Sequence, residues 1–411
     1  SRRVMRYGSL SDHFTGVAAK RLSEVEANRS VSNQHELNGV AVLKNLFGPE
    51  RVTQLPARFL WLGGENESVA DDASVTWYDA RERQRHRSAE WRLYFTANAA
   101  MELALPGDLI VVGRRLDGEI MFLIAPQHST LENQIAWLFG LDGALGASFR
   151  YEGFEGGNDR GLDFVSNYVL EEIGIEPEEP EAERLDRALE QFNQTFPTSR
   201  VMSELARSTL EHVDPAEDPD GALLAWIEFE EALFRRLERR IVAARLEAGF
   251  IADGSADVEG FLQFSLSVQN RRKSRMGLSL ENHIEAVLKA LGIRYDRGAR
   301  TEGRSKPDFL FPGAAEYADP EFGAAGLAML GVKSTLKDRW RQVLAEAARI
   351  PEKHLLTLEP GISIHQTDEM KAQGLQLVVP SGLHATFKTD QAAWLIDFRT
   401  FLELVQAKQA V

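Results

Sequence analysis

The chain has 411 residues, 44% hydrophobic and 27% charged, and its 62 acidic against 47 basic side chains give a net charge of −15. These globular values exclude wholesale disorder and a fibrous repeat, and the length suits two or three domains of about 150 residues each. Cysteine is absent, which excludes disulfide scaffolds, thiolate zinc sites, iron–sulfur clusters and cysteine nucleophiles together.

In chain order, the first 150 residues read mostly as strands. Residues 57–62 form an apolar run ending at Gly63-Gly64, and 91–95 alternate large apolar with other side chains. The turn signals Gly107-Asp108 and Asp117-Gly118 frame 109–112 and 120–124 as a β-hairpin. The glycine-rich stretch 153–161 lacks the spacing of a phosphate cradle and reads as a loop. The polar segment 32–39 reads equally as a recognition loop or a hydrogen-bonded turn. The run Glu176-Pro177-Glu178-Glu179-Pro180-Glu181 can bury nothing and reads as a linker.

Beyond it the pattern is helical, with Leu223, Ile227, Glu230 and Phe234 on one face. Arg235, Arg236, Arg239 and Arg240 on the same helix read as a solvated charged face rather than a DNA contact. From residue 279 the order is α-β-β-β-α-β. Ser279 is the expected N-cap of a helix carrying Ile284, Val287, Leu288 and Leu291, which Gly292 ends. Strands follow at 293–295, 308–311 and 327–333, then a second helix at 337–350. Strands at 354–358 and 375–379, bridged by a short helix near 367–372, complete the core. The expected class is α/β (α+β overall). A mainly β domain spans 1–170, an acidic linker 171–190 and a second folded domain 191–411.

The chemistry centres on two strands. Pro307-Asp308 opens one and Lys333 closes the next. Metal-dependent phosphodiester hydrolysis uses a carboxylate to hold Mg²⁺ near the phosphate and a cation to position water and offset developing charge. The pattern PD…(D/E)xK supplies both, although Pro-Asp and a strand-end lysine are common by themselves. The acid that belongs two residues before the lysine is replaced by Gly331. On the second helix Arg339, Gln342 and Glu346 form a polar stripe beside the apolar Trp340, Val343, Leu344 and Ala347, so Glu346 can turn toward Lys333 in its place. Glu281 and Glu285 share a face of the first helix, where solvent-facing glutamates are the plainer reading.

These blocks carry a family resemblance. Segments 270–275, 279–281, 306–312, 332–335, 337–342 and 378–384 closely resemble the catalytic domain of EcoRII-type restriction endonucleases, in order, over roughly residues 196–400. The resemblance implies a restriction-endonuclease-like αβββαβ core in which a glutamate thirteen residues after the lysine takes over from the missing acid. Glu346 stands at that position. By resemblance, Asp308, Lys333, Glu346 and Glu281 are catalytic, with Asp308 and Glu346 holding Mg²⁺. Tyr317 matches a tyrosine for which catalysis or positioning are both open. Lys337, Asp338 and Arg339 match the segment that reads C·G pairs in the major groove, as arginine or lysine donates to guanine and aspartate accepts from cytosine. Arg272 matches a second DNA-contacting stretch; phosphate binding alone suits such a residue as well.

The N-terminal part is loosely similar to the effector-binding pseudobarrel of these enzymes. Its basic segment, Arg81, Arg83, Arg85 and Arg87 after Trp77-Tyr78, is a candidate DNA contact, and segregated charge of this kind makes the overall negative balance a weak guide. The expectation is a cytoplasmic, Mg²⁺-dependent endonuclease that cuts double-stranded DNA at a short C/G-flanked site, as a homodimer and without a nucleotide cofactor. No apolar run nears the roughly 18 residues of a membrane span, and the opening Ser1-Arg2-Arg3-Val4 lacks a signal core. Two alternatives stay open: a modification-dependent nuclease whose N-terminal domain reads altered DNA, and a non-catalytic DNA-binding regulator.

Overall fold

A computed structural model describes residues 7–28, 35–38, 41–63, 67–141, 143–155, 161–177 and 181–410. Much of the polar segment 32–39, the centre of the glycine-rich stretch and the Glu178–Pro180 part of the linker lie outside them. The chain divides into two compact units, Ser1–Glu178 with Gly361–His365, and Glu179–Pro360 with Gln366–Val411.

The first unit is built on one eight-stranded sheet. Its strands are β1 (Phe14–Arg21), β2 (Glu36–Asn38), β3 (Val52–Trp61), β4 (Val69–Asp79), β5 (Trp91–Phe95), β6 (Leu109–Arg115), β7 (Ile120–Ala125) and β8 (Arg150–Gly153). The spatial order is β2-β5-β4-β3-β7-β6-β1-β8. Leu37 on one edge strand and Tyr151 on the other pack on the same apolar cluster as Phe59, Trp77 and Phe122, so the sheet curls around a single core. Register makes that core. Phe59 and Phe122 are partners on the parallel β3–β7 pair and stack at 4.1 Å. The expected hairpin is β6–β7, turned at Gly118 with φ +92°. Strand β4 and the helix Thr130–Leu138 escape a reading by alternation, because β4 is half-exposed along much of its length.

The second unit begins with helices. Part of the acidic stretch is itself helical over Ala182–Ala188, where Leu185 is buried. Asp186 there pairs with Arg236 and Arg240 of the long helix Pro219–Ala248 at 2.8–2.9 Å. Two arginines of the expected solvated face are thus structural. A two-stranded turn, β9 (Ile251–Ala252) and β10 (Ser255–Ala256), leads into the helix Val258–Ala290. This helix is longer than its apolar periodicity suggests. Ser279 is not its N-cap but a buried mid-helix residue donating to Glu230 at 2.6 Å; Asp257 caps it instead. The exposed N-terminal part is helical without a buried stripe, and the pairs Arg272–Glu238 and Arg275–Glu231 tie its middle to the neighbouring helix.

The sheet of this unit has the order β11 (Asp296–Arg297), β12 (Phe309–Phe311), β13 (Ala328–Lys333), β14 (Lys353–Thr357) and β15 (Leu375–Val378). β11–β12–β13 are antiparallel and β13–β14–β15 parallel. The αβββαβ order of the sequence is present, so the α/β class holds. The second helix is shorter than its periodicity: it covers only Trp340–Leu344, and Ala347 has φ +49°. Left-handed backbone at a residue with a Cβ ends a helix.

His354, on β14, is buried with neither ring nitrogen hydrogen-bonded. Burial holds its pKa down from 6.5 to about 4. As pH falls below 6.5 the unfolded chain takes up a proton that the fold refuses, so stability drains away between pH 6.5 and 4, by on the order of 3 kcal/mol. His354→Leu should flatten this acid limb and raise stability by about 1–2 kcal/mol, as measured by urea unfolding across that range.

Candidate active site

Asp308 precedes β12, and the antiparallel register Phe309↔Leu330 sets it beside the end of β13. Its Oδ2 accepts from Val332 N at 2.6 Å and lies 3.3 Å from Lys333 Nζ. The two residues that the motif names are therefore one half-exposed ion pair at the ends of the interior strands β12 and β13. Gly331, where the motif has its acid, faces the short helix: a Cβ there would meet Val343 at 3.0 and 3.2 Å and Leu355 at 3.3 Å. A carboxylate at 331 competes with core packing.

Glu346 does not sit on the helix. It lies on the turn that follows, so the i, i+3, i+7 stripe with Arg339 and Gln342 is not continuous. The turn nonetheless brings its carboxyl into the field of Asp308. Glu346 Oε2 is buried without a hydrogen-bond partner, and burial first, then the Asp308 charge, push its pKa up to about 7. Glu281, on the helix that packs against β13, is raised for the same two reasons, with Arg297 opposing. Arg297 reaches Glu281 at 3.0 Å, Asn282 at 2.8 Å and Glu285 at 3.1 Å. Glu285 is thus held by Arg297 and by the Tyr295 hydroxyl at 2.9 Å, not turned freely to solvent.

Two neighbouring carboxylates, one with a buried unsatisfied oxygen, supply oxygen donors of the kind a hard divalent cation takes. Among the described residues no group of three or more His, Asp or Glu side chains converges as a preformed metal cluster.

The expected DNA-reading segment follows β13 directly. Lys337, Asp338 and Arg339 are exposed on one turn, with Lys337 at φ +43°. Its base is pinned by Leu336 N donating to Glu359 at 2.6 Å, and Arg339 bonds back to Thr335. Arg272 is not on this turn; it lies on the helix Val258–Ala290 and pairs with the buried Glu238. In the first unit Arg81 pairs with Glu90, while Arg83, Arg85 and Arg87 lie on the exposed β4–β5 connection. Sequence reasoning missed Arg297 and Asn282, because their contact joins β11 to the helix Val258–Ala290 and no spacing records it.

The family model described as "EcoRII C terminal" matches residues 234–402. The type II restriction enzyme EcoRII of Escherichia coli is 41% identical over 214 residues, which are 52% of this chain and 51% of the relative. The chain thus matches about half the length of that curated relative. Among solved structures, metal-depleted Ecl18kI in complex with uncleaved DNA covers 55% of this chain and 83% of its own at 19% identity, with a TM-score of 0.45. A PspGI restriction endonuclease–substrate DNA complex covers 55% and 96% at 18% identity, with a TM-score of 0.43. A domain that matches the EcoRII C-terminal family model thus lies in the C-terminal region, over residues 234–402.

Proposed function

We propose that the protein is a divalent-metal-dependent, site-specific DNA endonuclease of the type II restriction kind, acting on double-stranded DNA as a homodimer. The observation that carries this reading is the grouping of Asp308, Lys333 and the Glu346 carboxyl, whose Oε2 lacks a hydrogen-bond partner, at the ends of two interior strands in a region 41% identical to EcoRII over 214 residues. In it, Asp308 and Glu346 would hold the ion, with Glu281 nearby. When bound, Mg²⁺ would polarise the phosphate and acidify a water. Lys333 offsets the charge that develops on the phosphate, already held toward Asp308. The exposed turn bearing Lys337, Asp338 and Arg339 presents donors and an acceptor suited to C·G edges. Arg272 is better suited to bracing the helix pair than to a phosphate, given its bond to Glu238.

A homodimer suits the chemistry, since one site cuts one strand and a twofold protein meets a symmetric sequence. We assign the first unit a DNA-binding role, through Arg83, Arg85 and Arg87, that holds the nuclease back until its own DNA is bound. A modification-dependent reading differs only in what that unit recognises.

The test is digestion of unmodified, methylated and phosphorothioated plasmid with and without Mg²⁺, followed by end sequencing. Discrete double-strand ends on unmodified DNA support the proposal; cutting confined to one modified substrate moves the modification-dependent reading ahead. A fragment of residues 179–411 keeps the whole Ala182–Ala188 helix and its Asp186 pairs. It should cut single sites at least as fast as the intact chain and lose stimulation by a second DNA in trans. A fragment with native circular dichroism that binds and cuts nothing would make the first unit the primary reader.

A further inference from the structure

The turn that carries Glu346 is held by Glu302, Arg349 and Lys353, which the motif does not name, and by Tyr317, whose role the family resemblance leaves open. Ala347, immediately after Glu346, has φ +49°, a left-handed conformation that a side-chain-bearing residue disfavours and that needs outside support. Support comes from three sides. The Tyr317 hydroxyl accepts from Arg349 N at 3.1 Å and donates to Glu302. The second oxygen of Glu302 accepts from Ala348 N at 3.3 Å. Beneath, the buried Lys353 donates from Nζ to the carbonyls of Ala347 at 3.1 Å and Ile350 at 2.7 Å. The Arg349 side chain closes the arrangement by donating to the carbonyls of Tyr317, Asp319 and Phe322. Glu302 also belongs to the loop leading to Asp308, which closes on itself through Thr301 N to Ser305 O at 3.0 Å.

We infer that Tyr317 and Glu302 form a brace that positions the Glu346 turn against the loop of Asp308, and so sets the spacing of the two carboxylates for a divalent cation. The inference rests on the metal reading above and assigns Tyr317 as a positioning residue, not a catalytic one. Its hydroxyl is engaged as donor and acceptor, and its ring is covered by the Arg349 guanidinium at 5.5 Å. Burial and the neighbouring Glu302 carboxylate raise the phenol's pKa, which disfavours a phenolate nucleophile.

The experiment compares full-length wild type, Tyr317→Phe and Glu302→Ala; Glu302 is exposed, so its loss spares the core. Hydrogen–deuterium exchange over residues 345–350 should quicken in both variants, because each loses an acceptor for a turn amide. In both, the Mg²⁺ concentration for half-maximal single-turnover cleavage should rise about tenfold or more, while the rate at saturating Mg²⁺ falls far less. Ca²⁺ affinity, measured by calorimetry without turnover, should weaken in parallel. Unchanged exchange in the turn overturns the brace. So does a Tyr317→Phe rate that collapses at saturating Mg²⁺ with normal Ca²⁺ affinity and no counterpart in Glu302→Ala; that pattern marks a tyrosine acting on the phosphate. Failure of the parent reading is separate: it shows as cleavage by Asp308→Ala.

Discussion

Asp308→Asn and Lys333→Ala are each expected to lower plasmid cleavage by roughly two to three orders of magnitude or more, with DNA affinity nearly unchanged. The two groups form one ion pair at 3.3 Å; in the proposed mechanism Asp308 would hold the ion and Lys333 would offset the charge that develops on the phosphate, so both act on the chemical step. Losing either therefore costs rate rather than binding. Asparagine is the better replacement for Asp308, because its amide oxygen can still accept from Val332 N and keep the β12–β13 strand ends together. Single-turnover cleavage beside a gel-shift titration separates the two quantities. Strong residual cutting by either variant would remove the assignment.

The second large effect is expected at Glu346. Glu346→Gln keeps the shape of the turn and removes the negative charge, so metal-dependent cleavage should fall by about a hundredfold or more without a change in unfolding midpoint. Wild-type rates in this variant would sink the idea of a displaced acid. Moving the carboxylate back to its motif position, Gly331→Asp with Glu346→Ala, is not expected to restore activity. The added Cβ would press on Val343 at 3.0 Å and Leu355 at 3.3 Å, and the overpacking should cost about 1–3 kcal/mol of stability in a urea titration. If instead that double variant is stable and active, the packing of Val343 on Gly331 does not govern where the acid sits.

Arg81 of the first unit is already engaged with Glu90, and Arg92 with Glu90 and Glu36. Charge reversal at Arg83, Arg85 and Arg87 is thus the more direct probe of the DNA contact proposed there, since neutralising phosphates shows as a change in the salt slope of binding.

Local pattern determined much of this protein. Alternation and turn residues mark β5 and the β6–β7 hairpin, and apolar runs bounded by Gly and Pro mark β12 through β15, because burial against a sheet leaves a period that a sequence must carry. The candidacy of Asp308 and Lys333 is local as well, each lying at a strand end. Where pattern fell short, the deciding force was tertiary. Val258–Ala290 stays helical through a polar stretch because Arg272 and Arg275 meet glutamates of a neighbouring helix, and Ser279 is buried because Glu230 accepts its hydroxyl. The helix before Glu346 ends at Leu344 although its apolar stripe continues, because the brace of Tyr317, Glu302 and Lys353 takes over the following backbone groups. Residue types and spacing nominated an acid; its place beside Asp308 depends on hydrogen bonds between segments distant in the chain, which no period in the sequence records.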